Sequence, residues 1–160
     1  MDIIEKPSWL RKRLPTGDTY QQVEQNISEN RLHTICQEAC CPNQGECFSK
    51  GVATFLIMGN CCTRNCRFCA VSTGTPGPLD SEEPLRLASE IRDLGLSFAV
   101  ITSVTRDDLD DGGASHFART IQTIRETCPG VGIEILIPDF QGNPDALETV
   151  VAAAPEVLNH

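Results

Sequence analysis

Beyond Gly51 the chain alternates between two hydrophobic patterns. Short apolar runs, which predict strands, occupy residues 53–58, 98–102, 133–137 and 157–158, and the first of them fits a strand buried on both faces. Between the runs, apolar side chains recur every three or four positions and predict amphipathic helices over residues 81–95, 117–128 and 143–155. Strands that alternate with helices predict an α/β fold with a parallel sheet and right-handed crossovers. Three βα units and the start of a fourth strand are compatible with a small open sheet or with half of a barrel.

The first fifty residues follow a different pattern. Tyr20, Val23 and Ile27 recur at helical spacing, and a dense run of cysteines comes after them. We therefore predict two segments: a helical, cysteine-rich N-terminal extension over residues 1–50, and an incomplete (β/α) barrel over residues 51–160.

Composition narrows the class of protein. The chain has 160 residues, 40% of them hydrophobic, which is enough for one core of ordinary size. Its formal net charge of −9 argues against a nucleic-acid partner, because binding to the phosphate backbone depends on an excess of Lys and Arg. No apolar run approaches the roughly 20 residues that span a bilayer, so no membrane partner is expected.

Nine cysteines are several times the usual content for this length. The first twenty residues are polar, are interrupted by Pro7 and Pro15, and do not read as a secretory signal. A cysteine-rich chain without a route to an oxidising compartment is expected to bind metal rather than to form disulfides. We therefore expect a cytoplasmic protein.

Cys62, Cys66 and Cys69, the first triplet, have the spacing C-x3-C-x2-C directly after the first predicted strand. Parallel α/β folds place their ligand sites at the carboxyl ends of strands. Both a structural zinc site and the usual iron–sulfur cube take four protein ligands, so three cysteines leave one position open.

Cys36, Cys41 and Cys47, the second triplet, have the spacing C-x4-C-x5-C. By itself this spacing fits a buried or zinc-binding set equally well. Two triplets that flank one predicted strand nevertheless indicate two clusters that face each other. The remaining cysteines are predicted to be bystanders, with the last one buried as a small apolar side chain: Cys40, Cys61 and Cys128.

The motif around the first triplet, C-x3-C-x-F-C over residues 62–69, resembles the signature of the radical S-adenosylmethionine enzymes. The second triplet, within residues 36–47, resembles the auxiliary-cluster motif of the lipoyl synthase family. Further stretches resemble the same family at residues 6–11, 14–17, 53–55, 102–109 and 137–142.

The resemblance implies a partial radical S-adenosylmethionine barrel and two 4Fe–4S clusters. The first triplet would hold the cluster that binds S-adenosylmethionine, and the second triplet would hold a cluster that donates sulfur. The implied reaction places sulfur at C6 and C8 of an octanoyl group. That group is carried on a lipoyl carrier domain or glycine-cleavage H protein, and the electron donor would be a flavodoxin or ferredoxin. The resemblance assigns no catalytic side chain of this chain beyond the cluster ligands.

Four further residues have two interpretations each. Phe68 either packs or, as the resemblance implies, lies against the adenine of the cofactor. Glu134, alone among isoleucines, either reaches the cofactor from inside the barrel or pairs with a buried arginine. Asp107 and Asp108 either present a carboxylate to the methionine amino group or lie in a capped, solvated loop.

One departure from the family limits these expectations. Lipoyl synthases are nearly twice as long, and a serine in a late Arg-Ser-Ser motif completes their auxiliary cluster; this sequence has no such motif. We therefore expect an N-terminal fragment that binds clusters but is inactive alone. The alternatives are another radical S-adenosylmethionine enzyme that inserts sulfur, and a non-enzymatic iron–sulfur module for electron transfer.

Overall fold

The computed structural model of the chain describes residues 17–160. The stretches at residues 6–11 and 14–16 that carry part of the family resemblance lie outside this range. The first elements, in chain order, are α1 (Asp18–Glu29), β1 (His33–Thr34), α2 (Ile35–Glu38) and α3 (Gln44–Ser49). The predicted N-terminal helix is confirmed as α1, and the shorter elements have no counterpart in the sequence prediction.

The alternation predicted after Gly51 is confirmed. The elements are β2 (Thr54–Ile57), β3 (Cys61–Cys62), β4 (Ser72–Thr73), α4 (Glu83–Asp93), β5 (Phe98–Ser103), α5 (Ala114–Thr127), β6 (Gly132–Leu136), a 3-10 turn (Phe140–Gly142), α6 (Pro144–Ala152) and β7 (Val157–Asn159). Local sequence explains where α6 begins. The Asn143 side chain accepts hydrogen bonds from the backbone N–H groups of Asp145 and Ala146, at 3.0 and 3.3 Å, and Pro144 occupies the first turn.

Five strands form the main sheet in the order β1-β2-β5-β6-β7, and all neighbours are parallel except β1, which pairs antiparallel with β2. From β2 onward each strand is added to the same edge, and α5 packs against both α4 and α6. Successive right-handed crossovers in one direction put all three helices on one side of the sheet, which is the winding of a (β/α) barrel. The structure therefore favours the half-barrel over the small open sheet.

The two faces of the sheet differ sharply. On the helix side, Ala99, Ile101, Ile133 and Ile135 are completely buried. The opposite face, which would be the barrel interior, leaves Phe98 and Leu136 each 44% exposed and Val157 38% exposed. In β2, by contrast, the neighbouring residues Phe55 and Leu56 are both buried, which confirms that this strand is covered on both faces.

The N-terminal residues share the core of the sheet. Val23, Ile27 and Phe48 belong to the same cluster of buried side chains as the strands and the crossover helices, and β1 extends the sheet. The division into residues 1–50 and 51–160 stays a prediction.

Candidate metal centre

The loop that carries the first triplet starts at the carboxyl end of β2. Met58 and Gly59 have left-handed backbone conformations, with φ of 68° and 88°, which turn the chain out of the sheet. The strands β3 and β4 then pair in parallel, and the Gly74 N–H donates to the Cys62 carbonyl at 3.0 Å. The loop is therefore closed at its base, with Cys66 and Cys69 beyond the closure.

The three thiols of the first triplet have different surroundings. The half-buried Cys62 Sγ accepts hydrogen bonds from the backbone N–H groups of Arg64, at 3.4 Å, and Thr105, at 3.3 Å. Cys66 and Cys69 are exposed, and the Cys69 N–H donates to the Cys66 carbonyl at 3.0 Å. Two backbone N–H groups thus hold the Cys62 sulfur in place, while the other two thiols face solvent.

The second triplet is more deeply set. Cys36 is buried, and Cys41 and Cys47 are half-buried against the core. Burial raises the pKa of the Cys36 thiol, and the nearby Cys41 and Cys47 raise it further, whereas the backbone of Thr54 opposes the shift. The structure therefore brings these three thiols into electrostatic contact near the beginning of β2.

The two triplets lie toward opposite ends of β2. Thr34 pairs with Phe55 in the antiparallel register, which sends the following residues toward the amino end of β2, while the first triplet follows its carboxyl end. Four residues of strand separate the two sites, or roughly 13 Å at about 3.3 Å per residue. The structure thus places the two triplets toward opposite ends of one strand, and the facing of two clusters stays a prediction.

Both triplets fit iron–sulfur clusters in their donor chemistry, since thiolates are the ligands of such clusters. All nine cysteines are free thiols. Within residues 17–160, no three His, Cys, Asp or Glu side chains are arranged to enclose a metal ion. The fit therefore rests on donor chemistry and on placement at the ends of β2.

The Arg64 side chain fixes the cysteine loop to two strand ends. Its Nε and Nη2 donate to Asp107 at 2.7 and 2.8 Å, and its Nη1 and Nη2 donate to Asp139, both at 2.8 Å. Asp107 follows β5 and Asp139 follows β6. Arg64 holds the pKa of both carboxyls below their usual range, mainly through these hydrogen bonds. One guanidinium thus makes two bidentate ion pairs, the strongest geometry for such contacts.

Asp107 and Asp108, the two aspartates after β5, are both engaged in ion pairs. Asp108 accepts from Arg106 at 2.7 and 2.8 Å, and this arginine lowers its pKa. Arg106 is itself buried and also donates to the carbonyl of Gly77 at 3.0 Å. The structure therefore shows neither a free carboxylate nor a merely solvated loop here.

Phe68 and Glu134, proposed from sequence as cofactor contacts, lie in different places. Phe68 is 93% exposed beside the cysteines of the first triplet and does not pack into the core. Glu134, on the open face of β6, accepts a hydrogen bond from Asn159 Nδ2 at 2.7 Å. Within residues 17–160 no arginine pairs with Glu134, which argues against one of its two interpretations; contact with the cofactor stays a prediction.

The sequence did not predict a buried pair of polar side chains that lies beneath the loop. His116 Nε2 lies 2.7 Å from Glu83 Oε2, and the same oxygen accepts the Met58 N–H at 2.9 Å. Nothing in the spacing of Glu83 and His116 indicates that they meet, because they lie on different helices. Arg64 and Arg106, in contrast, lie inside the cysteine motif and the stretch 102–109, where they could have been singled out.

A family model described as the radical SAM superfamily matches residues 56–160. The chain belongs to this superfamily. A second family model, the N-terminal domain of lipoyl synthase of the radical SAM family, matches residues 2–41.

Similar curated proteins carry the name lipoyl synthase. One from a Roseiflexus species is 56% identical over 97% of this chain and 52% of its own length. One from Caldanaerobacter subterraneus is 56% identical over 98% of this chain and 55% of its own length. One from Thermus thermophilus is 57% identical over 95% of this chain and 47% of its own length. The chain spans about half the length of the curated relatives it matches.

None of the helices in residues 17–160 has the length and apolar character that crossing a membrane requires.

Proposed function

We propose that this chain is the cluster-binding part of a lipoyl synthase, which inserts two sulfur atoms at C6 and C8 of a protein-bound octanoyl group. The observation that carries the proposal is the presence of two cysteine triplets at the two ends of one strand, in a half-barrel of the radical SAM superfamily. A single triplet would support only the superfamily; the second, with the lipoyl synthase match over residues 2–41, supports sulfur insertion.

Each set of residues has a separate role in the proposed function. Cys62, Cys66 and Cys69 hold one 4Fe–4S cluster, and Cys36, Cys41 and Cys47 hold the other. When bound, the clusters and S-adenosylmethionine supply the radical chemistry and the sulfur, which no side chain can provide. Phe68, exposed next to Cys69, is available to cover the adenine of S-adenosylmethionine, and Glu134 offers a carboxylate on the open face of the sheet.

The proposed setting is a reducing cytoplasm, which the nine free thiols support. The proposed partners are an octanoylated lipoyl carrier domain or glycine-cleavage H protein as substrate, and a flavodoxin or ferredoxin as electron donor. A net charge of −9 is consistent with the absence of nucleic acid from this group.

Cluster binding is tested by anaerobic reconstitution with iron and sulfide, followed by iron and sulfide analysis and absorption spectroscopy. Alanine at all three positions of either triplet should remove about half of the bound iron if each triplet holds a similar cluster. The matched controls are Cys61→Ala and Cys40→Ala, each adjacent to a proposed ligand, and both should bind as much iron as the parent chain. Unchanged iron in both triplet variants would contradict the ligand assignment.

Activity is tested in a full-length background. Residues 1–160 would replace the matching part of the Thermus thermophilus lipoyl synthase, and the chimera would receive dithionite, S-adenosylmethionine and an octanoylated carrier domain. We expect a thiolated product and 5′-deoxyadenosine. A folded chimera that forms 5′-deoxyadenosine without thiolated product would favour another sulfur-inserting reaction. A folded, iron-loaded chimera that does not cleave S-adenosylmethionine would favour an electron-transfer module.

A further inference from the structure

Met58 is a buried residue in an unfavourable backbone conformation. Its φ of 68° lies in the left-handed region, which costs energy for any residue with a Cβ atom. Such a conformation persists only where the surroundings fix it, and it is concentrated near functional sites. The contacts that fix Met58 therefore identify residues that shape the loop it introduces.

Three separate parts of the fold hold this residue. Its N–H donates to Glu83 Oε2 on α4 at 2.9 Å, and its carbonyl accepts from Arg106 Nη1 at 3.4 Å. Its thioether lies against Gly113 at the start of α5, so closely that a Cβ atom at that glycine would come within 2.3 Å of the sulfur. The left-handed turn is thus held at its donor, its acceptor and its side chain.

Glu83 is itself fixed by a buried histidine. His116 Nε2 on α5 lies 2.7 Å from the same carboxylate oxygen, and both side chains are only 6% exposed. A carboxylate removed from water in this way needs hydrogen-bond donors, and the His116 ring and the Met58 N–H supply two. The first turn of α4 and the first turn of α5 therefore meet beneath the point where β2 ends.

The same framework continues to the first ligand cysteine. Arg106, which holds the Met58 carbonyl, directly follows Thr105, whose N–H donates to Cys62 Sγ at 3.3 Å. Thr105 also accepts the Thr63 N–H at 3.1 Å through its carbonyl. Cys62 is thus approached from two directions, along the chain from Met58 and across the loop from Thr105.

We infer that Glu83 and His116 are positioning residues for Cys62: as a buried pair they fix the left-handed turn at Met58 and so set the direction of the cysteine loop. The inference rests on the proposed function only in taking Cys62 as a cluster ligand. Neither residue touches a proposed ligand, and both act through Met58 and the backbone.

The test uses Glu83→Ala, which removes the acceptor for the Met58 N–H, and Glu83→Gln, which keeps an oxygen acceptor in the same place. Amide hydrogen exchange is measured in the metal-free chain. We expect Glu83→Ala to speed exchange at Met58 and Thr105 on the order of tenfold, the effect of about one hydrogen bond's free energy, and Glu83→Gln to restore protection. After anaerobic reconstitution, the EPR spectrum of the reduced cluster should change in Glu83→Ala and return in Glu83→Gln.

Val150→Ala on α6 serves as the control, because it destabilises the same core away from the loop. His116→Phe, which leaves the carboxylate with one donor fewer, provides a second variant should Glu83→Ala not fold. The inference is overturned if Glu83→Ala or His116→Phe changes exchange at Met58 and Thr105 no more than Val150→Ala does. If the parent chain binds no iron, the proposed function fails, while the exchange comparison still decides the positioning role.

Discussion

Two phenylalanines, each next to a cysteine of one triplet, show how differently the two triplet segments are held in place. Phe48 follows Cys47, is completely buried, and has its ring centroid 5.7 Å from that of Tyr20. Phe68 precedes Cys69 and is 93% exposed. The segment around the second triplet is therefore held by apolar packing, whereas the loop around the first is held by ion pairs and hydrogen bonds at its edges.

The difference has a chemical consequence. Packing keeps the second triplet together without metal but raises the pKa of the Cys36 thiol through burial, so its thiolate forms less readily. The first triplet leaves Cys66 and Cys69 open to solvent. A packed, half-buried cysteine segment thus lies at one end of β2 and a solvent-exposed one at the other.

The largest effect should come from truncating the packed phenylalanine. Phe48→Ala removes a buried aromatic ring and should lower the free energy of unfolding by about 3–5 kcal/mol. The same change at Phe68 should leave that free energy within about 0.5 kcal/mol of the parent value, because the ring is exposed. Urea unfolding followed by circular dichroism measures both. A comparable loss in Phe68→Ala would remove the distinction between the two segments.

Arg64 should matter for the loop around the first triplet as Phe48 does for the segment around the second. Arg64→Ala leaves Asp107 and Asp139 without their shared cation, and we expect iron release to a chelator to be about tenfold faster after reconstitution, the usual loss when a residue supporting a metal ligand is removed. Arg64→Lys should rescue little, because an ammonium cannot form two bidentate pairs.

The matched control for Arg64 is Arg125→Ala, which breaks an ion pair with Glu156 near the amino ends of β6 and β7, away from the cysteine loop. Iron release should be unchanged in that variant. Equal release from both arginine variants would show that the loop is held by something other than its ion pairs.

The sequence was a good guide to elements that bury long runs. The strands predicted at residues 98–102 and 133–137 appear within one residue of those bounds, and the helix predicted over residues 143–155 begins at Pro144 and ends three residues early, at Ala152. The strand β1 was missed because two residues, His33 and Thr34, have no periodicity to detect; their pairing with β2 is a tertiary contact. The open face of the sheet was also unforeseen, because an apolar run does not show whether both faces are covered.

The candidate site likewise contains residues that the sequence revealed and contacts that only the fold shows. Cysteine spacing located both triplets, since ligands close in sequence leave a local signature. The contacts between Glu83 and His116, 33 positions apart, and between Arg64 and Asp139, 75 positions apart, leave none. Glu83 looked like an ordinary residue of a helix's first turn, and only the fold shows that its carboxylate holds the end of a strand.

A smaller effect is expected when the pH is lowered, because acid protonates the two aspartates that pair with Arg64. Arg64 lowers the pKa of Asp107 and Asp139. Its two ion pairs therefore contribute stability that is fully present above the ordinary aspartate pKa of about 3.9 and is lost as the pH falls through the lowered values. The difference in unfolding free energy between the parent chain and Arg64→Ala should therefore stay constant from pH 7 to about 4 and shrink below that. A difference that already shrinks between pH 6 and 5 would contradict the lowered pKa values.

The smallest expected effect tests whether the segment around the second triplet also depends on a buried charge. Glu90 on α4 is buried and accepts a hydrogen bond from Asn30, at the end of α1, at 2.9 Å. Burial raises the pKa of its carboxyl, so folding carries no penalty from this group below its ordinary pKa, and stability falls as the pH rises through the raised value. Glu90→Gln keeps the acceptor without the charge, and we expect it to raise the melting temperature by a few degrees at pH 7 and to leave it unchanged at pH 4.

Glu148→Gln, on the exposed side of α6, should change neither value. A lower melting temperature for Glu90→Gln at pH 7 would mean that a buried charge anchors α1 to α4, and the second triplet would then depend on polar contacts much as the first does.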